Sequence, residues 1–220
     1  QQYDALGRAT TETHFGTDGA PVISAKGNHR LETELDDLGR KIRADTFDIE
    51  GKPVISSNGL ARGLIEYDAS GNKTVVSQWI WDEARETYTL RQKALAEYDA
   101  LNNPVSEELR GPDDIPLTDK DGIHRTEKDY NNLGRVVAKR FFGPDGARFA
   151  TKQGFAETRD AFDPRGNIIE RRLYGTDGNL VARDKGIAIV RMTYDHAGRI
   201  LTRSHFGSDL EPMLRQDQII

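Results

Sequence analysis

A phrase of the form aromatic-Asp-x-x-Gly returns along this chain at a nearly fixed interval, and no other feature constrains the fold as much. Its first position falls at Tyr3, Leu35, Tyr67, Tyr98, Tyr130, Phe162 and Tyr194, with spacings of 32, 32, 31, 32, 32 and 32 residues. Twelve residues after each comes a second row: Phe15, Phe47, Trp79, Arg110, Phe142, Tyr174 and Phe206. A third row holds Gly27, Gly59, Gly122, Gly154 and Gly186, with Leu90 at the equivalent place in the shorter unit. Three registers agreeing over seven copies define an internal repeat, and repeats of this length build stacked arrays.

The unit reads as hairpins. In "YDALGR" the aromatic ends a strand, Asp4 is placed to accept backbone N–H bonds in the turn, and Gly7 supplies the positive φ of a bulged type I turn. In "FGTDGAP" the Asp18-Gly19 pair signals a second turn, and Pro21 suits a strand start or edge. Between them lie strand-length runs rich in β-branched and aromatic residues, such as "RVVAKRFF" and "IAIVRMTY". Glycine punctuation leaves no room for a sustained helical period. Each unit is expected to form two long strands, a short third strand around Pro-Val, and a loop to the third-row glycine. The fold class is therefore all-β: an array of antiparallel β-hairpins forming an elongated twisted sheet or β-solenoid. It forms one repeat domain over residues 1–220, with units starting near 3, 35, 67, 98, 130, 162 and 194. The units at 67–129 are degenerate and the last is truncated.

Composition narrows the function. The chain is 36% hydrophobic and 30% charged, which leaves little material for a thick core. A net charge of −5 with the signs interspersed argues against a nucleic-acid partner. With no cysteine, disulfides, thiolate zinc sites and Cys nucleophiles are excluded. No apolar run is long enough to insert in a membrane, and no signal peptide lies in the chain. It reads as a piece of a longer array, with flanking repeats or domains as partners.

The phrases "YDALGR", "LDDLGR", "YDASGN", "YNNLGR", "FDPRGN" and "YDHAGR" resemble the tyrosine-aspartate (YD, or RHS-type) repeats of bacterial surface and secreted proteins. The resemblance covers essentially the whole chain. It differs from the repeats of toxin shells and teneurin-like proteins in its longer period, since each unit adds "FGxDGxPVxxxxG". The resemblance implies β-hairpin architecture and a secreted or cell-envelope setting in a bacterium.

Candidate chemistry is sparse. One row of acids (Asp4, Asp36, Asp68, Asp99, Asp163, Asp195) and another (Asp18, Asp82, Asp113, Asp145, Asp177, Asp209) invite a calcium-stiffened array. Asn131 replaces the acid in the fifth unit while the turn signature persists. An amide accepts the same turn bonds without charge, so the first row, Asn131 included, reads as turn caps and no metal is assigned. The aromatic rows read as inter-repeat core rather than a sugar platform. The histidines read as surface strand residues. The pattern fails in "SQWIWDEARETYTLRQKAL" and "LRGPDDIPL". There Trp79, Trp81, Tyr88 and Arg110 are the candidate ligand-binding residues for a protein or glycan partner. Trp79 sits at the core offset, so Trp81 is the better contact. No catalytic motif occurs and no cofactor is implied. The expected function is a non-enzymatic repeat scaffold presenting a binding surface. The alternatives are a structural spacer or shell segment of a larger toxin-like or adhesin-like protein, and the calcium-stiffened array.

Overall fold

The computed structural model of the chain describes residues 1–213. Among the described residues there is no α-helix, and all strand pairings are antiparallel. Two compact units form. The first comprises residues 1–96 with 109–115, and the second residues 97–108 with those from 116 onward.

In the first unit the strands β1 (Gln2–Tyr3), β2 (Ala9–Thr13), β3 (Arg30–Leu35), β4 (Lys41–Phe47), β5 (Arg62–Tyr67), β6 (Lys73–Asp82) and β7 (Thr87–Tyr98) lie side by side in chain order. The second unit repeats the scheme. It runs β8 (Pro104–Arg110), β10 (Arg125–Tyr130), β11 (Val136–Phe142), β12 (Glu157–Phe162), β13 (Ile168–Tyr174), β14 (Ile189–Tyr194), β15 (Ile200–Phe206) and β16 (Pro212–Met213), with the short β9 (Pro116–Leu117) beside β8. This is the open antiparallel hairpin sheet that the repeat predicts.

One turn geometry, used three times per repeat, explains the period. At Asp36 the backbone N–H donates to the carbonyl of Arg40, and the N–H of Gly39 donates back to the carbonyl of Asp36, both at 2.9 Å. The ladder slips by one residue between Glu34 and Leu35, and Gly39 takes φ +80°. Together these make a type I turn closed by a glycine bulge. The same pair of bonds closes Gly16–Ala20 and Ser24–Asn28. Turns beginning at Asp4, Gly16, Ser24 and again Asp36 are twelve, eight and twelve residues apart, which totals the 32-residue unit.

The segment expected to be a loop to the third-row glycine is therefore a third closed turn. Its signal was a Ser, Thr or Asp three residues ahead of the glycine, as at Ser56, Asp119 and Thr151. The short third strand shrinks in most units to a single bridge, Phe15 to Pro21, Phe47 to Pro53, Phe142 to Arg148 and Tyr174 to Leu180. Leu90 has no such turn, because it lies inside β7.

The core is thin and runs as rows. Ala61, Ala156 and Ala188 are fully buried, and their repeat equivalents His29 and His124 are nearly so. Each donates its backbone N–H to the carbonyl of a second-row residue: Phe47 for His29, Trp79 for Ala61, Phe142 for His124. These histidines, and the buried His205, are not the surface residues that the sequence suggests. The position faces inward over the second turn, where only a methyl group or a hydrogen-bonded imidazole is accommodated. His29 Nδ1 lies 3.1 Å from the carbonyl of Val22, and His124 Nδ1 lies 2.9 Å from that of Leu117.

The second-row rings are only partly the expected core. Phe142 is buried, whereas Phe15 is 58% exposed. Guanidinium groups, more than other rings, cover them: Arg30 over Phe47, Arg125 over Phe142, Arg159 over Tyr174 and Arg191 over Phe206, at 4.1–4.6 Å from the ring centroids. In a chain this poor in apolar residues, arginine stems and cation–π contacts take the place of aliphatic packing.

Three first-row tyrosines each tie a repeat to the one before it. Tyr67 donates its hydroxyl to the carbonyl of Lys41, Tyr130 to Pro104 and Tyr194 to Ile168, at 2.9–3.1 Å and always across 26 residues. In the same junction the guanidinium of Arg40 lies 4.4 Å from the centre of the Tyr67 ring.

Candidate functional site

The irregular repeat owes its anomaly to a longer hairpin. Where a regular unit closes its second turn, β6 continues to Asp82, and β7 returns from Thr87 after a turn with Glu86 at φ 49°. Asp82 Oδ1 accepts the N–H groups of Ala84 and Arg85, which holds that turn without a glycine. Two turns and a short bridge are thus exchanged for a longer ladder with one bulge, between Gln78 and Trp79.

This ladder brings three of the four candidate residues together. Trp81 and Tyr88 are direct cross-strand partners, with ring centroids 5.0 Å apart and planes at 69°. Trp79 lies on the same face, two residues before Trp81, and is the cross-strand partner of Arg62 on β5. The Trp79 indole N–H donates to Ser77 Oγ at 2.9 Å. Arg62 lies 3.6 Å from the centre of the Tyr88 ring while its Nε and Nη2 donate to the two oxygens of Asp45 at 2.6 and 3.0 Å. Arg43 adds a third contact to Asp45 at 3.2 Å.

The hydrogen bonds to Asp45 push the Arg62 guanidinium above its usual range, and burial raises the Tyr88 phenol. Arg110, the fourth candidate, ends β8. It donates to the carbonyl of Asp114 at 3.2 Å, and the Asp114 carboxylate reaches Lys93, the cross-strand partner of Ser77. The Lys93 ammonium holds the Asp114 carboxyl below the ordinary range.

Trp79, Trp81 and Tyr88 are half-buried, and the polar groups beside them bond to one another. The patch can stack and stiffen a hairpin, but it holds no nucleophile activated by a base. Asp45 and Arg62 were missed by sequence reasoning. They stand 17 residues apart with two turns between, and only the ladder register makes them neighbours.

The turn-cap row is uniform in geometry. Oδ1 of Asp4 accepts the N–H of Leu6 and of Arg8, Oδ1 of Asp99 that of Leu101 and of Asn103, and Oδ1 of Asp163 that of Arg165 and of Asn167. Asp68 and Asp195 do the same, and Oδ1 of Asn131 accepts the N–H of Leu133 and of Arg135 at 3.0 Å. Asp36 accepts from Arg40 through both backbone and guanidinium. Among the described residues no three His, Asp or Glu side chains converge as a metal site. No helix among them is long and apolar enough to cross a membrane.

With this geometry in hand, the solved structures are informative about fold. The chain is similar to part of a crystal structure described as TcdB2-TccC3-TEV, with a TM-score of 0.56 at 15% identity, covering 93% of this chain and 9% of that one. A second likeness, at TM-score 0.49 and 18% identity, is to a Tc holotoxin pore of Photorhabdus luminescens carrying a TccC3 mutation, over 80% of this chain and 7% of that one. At such identity the first likeness is one of fold, and the chain spans less than a tenth of either protein. No family model matches the sequence, and no curated protein matches it.

Proposed function

We propose that this chain is a non-enzymatic structural segment of a larger, toxin-like bacterial protein of the YD (RHS-type) repeat kind, acting outside the cytoplasm as a length of hairpin wall. The observation that carries the reading is the inter-repeat staple. Each tyrosine hydroxyl of Tyr67, Tyr130 and Tyr194 is spent on a carbonyl of the preceding repeat, so the most regular side chains of the sequence extend a sheet. The fold-level likeness to a short stretch of a TcdB2-TccC3 chain supports the same reading. The engagement of Trp81 with Tyr88, and of Arg62 with Asp45, argues for an internal brace over a glycan platform.

The deciding experiment is a glycan array combined with tryptophan fluorescence on the full 220-residue chain. The expected outcome is no saturable glycan binding, together with a lower melting temperature for Trp81→Ala. Saturable binding that Trp81→Ala abolishes without changing the melt would replace this reading with that of a binding module.

A further inference from the structure

The regular hairpins close with the same turns and the same ladder, so the backbone gives a strand no means of telling its own neighbour from one 32 residues away. What differs is the pair of side chains that face each other where one hairpin meets the next. At equivalent places these pairs are Thr13 with Arg30, Asp45 with Arg62, Glu108 with Arg125, Arg140 with Glu157 and Arg172 with Ile189. In Asp45–Arg62 and Glu108–Arg125 the acid comes first in the chain. At Arg140–Glu157 the order is reversed. The hairpin β10–β11 therefore carries an arginine on each of its outer edges, on one face, and both neighbours meet it with a glutamate.

These charges are withdrawn from water. Glu157 is 1% exposed, with Arg148 and Arg159 donating to its two oxygens at 2.9 and 2.6 Å and Arg140 at 3.9 Å. The side chains of Glu108, Arg125 and Arg140 are half-buried. Two errors of assembly are peculiar to a repeat array. If β8 passed over a hairpin and paired with β12, Glu108 would stand opposite Glu157. If β11 of one copy paired with β10 of a second copy, Arg140 would stand opposite Arg125. Both errors keep the 32-residue phase, so turns and ladder would permit them. Like charges directly opposite each other repel, and the cost grows where water is excluded. The hairpin β3–β4 has no such safeguard. It holds Arg30 on one outer edge and Asp45 on the other, so its two edges would attract each other.

We propose that the charge sequence Glu108, Arg125, Arg140, Glu157 fixes the order of the hairpins around β10–β11 and bars strand exchange between copies of the chain at this place. The correct neighbours are joined by opposite charges, and the same four groups set like against like in the wrong ones. Order thus rests on repulsion from the wrong strand as well as attraction to the right one.

The test is refolding of the full chain from urea at low and high protein concentration, followed by sedimentation velocity. The wild-type chain is expected to recover, at both concentrations, the profile it had before unfolding. In the double variant Glu108→Arg with Arg125→Glu the correct junction keeps opposite charges, but Arg140 of one copy attracts position 125 of another. That variant should give a several-fold larger share of persistent oligomer, rising with concentration. Glu108→Gln with Arg125→Gln loses the same native contacts without gaining the attraction, and should oligomerise much less than the reversed pair. The proposal is overturned if the reversed pair recovers as cleanly as wild type. It is overturned equally if the two variants oligomerise to the same extent, which would make lost stability the cause. If the reversed pair does not fold, the wild-type chain decides. Screening its charges with about 1 M salt during refolding should raise the oligomer share above that at low salt, and an unchanged share overturns the proposal.

Discussion

Asp68 and Asn131 hold the same turn with different charges, so they separate geometry from electrostatics at the scale of one residue. Both present an oxygen to two backbone N–H groups, but only the aspartate titrates. The side-chain amide of Asn72, then its backbone N–H, lower the Asp68 pKa below its ordinary 3.8, and Asp4, Asp99, Asp163 and Asp195 are lowered likewise. A carboxyl whose folded pKa is depressed contributes stability above its unfolded value and loses it as pH falls through the folded one. The array should therefore weaken progressively below about pH 4. Asp68→Asn should flatten that dependence slightly and leave the turn intact, as measured by urea melts at pH 7 and pH 3. An unchanged acid slope would show that Asp68 contributes nothing to it.

The buried pair offers a larger effect at the same scale. Asp45 is 3% exposed and neutralises Arg62 beneath the Tyr88 ring. Removing its charge leaves a half-buried guanidinium short of its partner, so Asp45→Asn should cost about 3 kcal/mol. A double substitution, Asp45→Leu with Arg62→Leu, should recover part of the loss in a denaturant titration, because Arg62 is no longer left charged and Arg43 keeps Glu34 as a partner.

At the scale of the element, what matters is how one hairpin grips the next. Tyr67→Phe removes the hydroxyl that reaches the carbonyl of Lys41 but keeps the ring under Arg40. The expected cost is about 1 kcal/mol, the net worth of one hydrogen bond. Faster amide exchange along β4 and β5 would be its local signature, and an unaltered exchange pattern would remove the staple from the account. Glycine suits the turn's left-handed position, which Asn102 alone takes with a side chain among the first-row turns. Gly166 has φ +96°, so a side chain there meets backbone strain, and the flexible guanidinium end of Arg135 from the preceding repeat would have to swing aside.

At the scale of the whole molecule, each repeat contacts chiefly its sequence neighbours, which makes stability approximately a sum over units and junctions. A chain ending at residue 186 should therefore keep the spectrum of its remaining hairpins and unfold at lower denaturant concentration. If that truncation abolished all structure at once, nearest-neighbour stacking would be the wrong description. The fold was legible in the sequence to a high degree because its signals are local. Asp or Ser at a turn start and Gly three residues on mark the closed turns in most units. The third turn escaped notice because its opening residue changes among Ser, Asp, Thr and Arg. The buried histidines escaped because burial there follows from facing the second turn, which one residue's identity does not reveal.

The candidate site was only half legible. Trp81 and Tyr88 stand out by composition, and their break in the repeat points to an altered hairpin. That Tyr88 receives Arg62, and that Arg62 is held by Asp45, depends on a register set by two intervening turns. The linear spacing of turn residues therefore determined by itself the period, the antiparallel hairpins and their order, because each turn closes within five residues. The tertiary structure alone decided which charges meet and which rings are covered. Those outcomes depend on cross-strand neighbours distant in the chain, and a one-residue shift in register would rewrite them all.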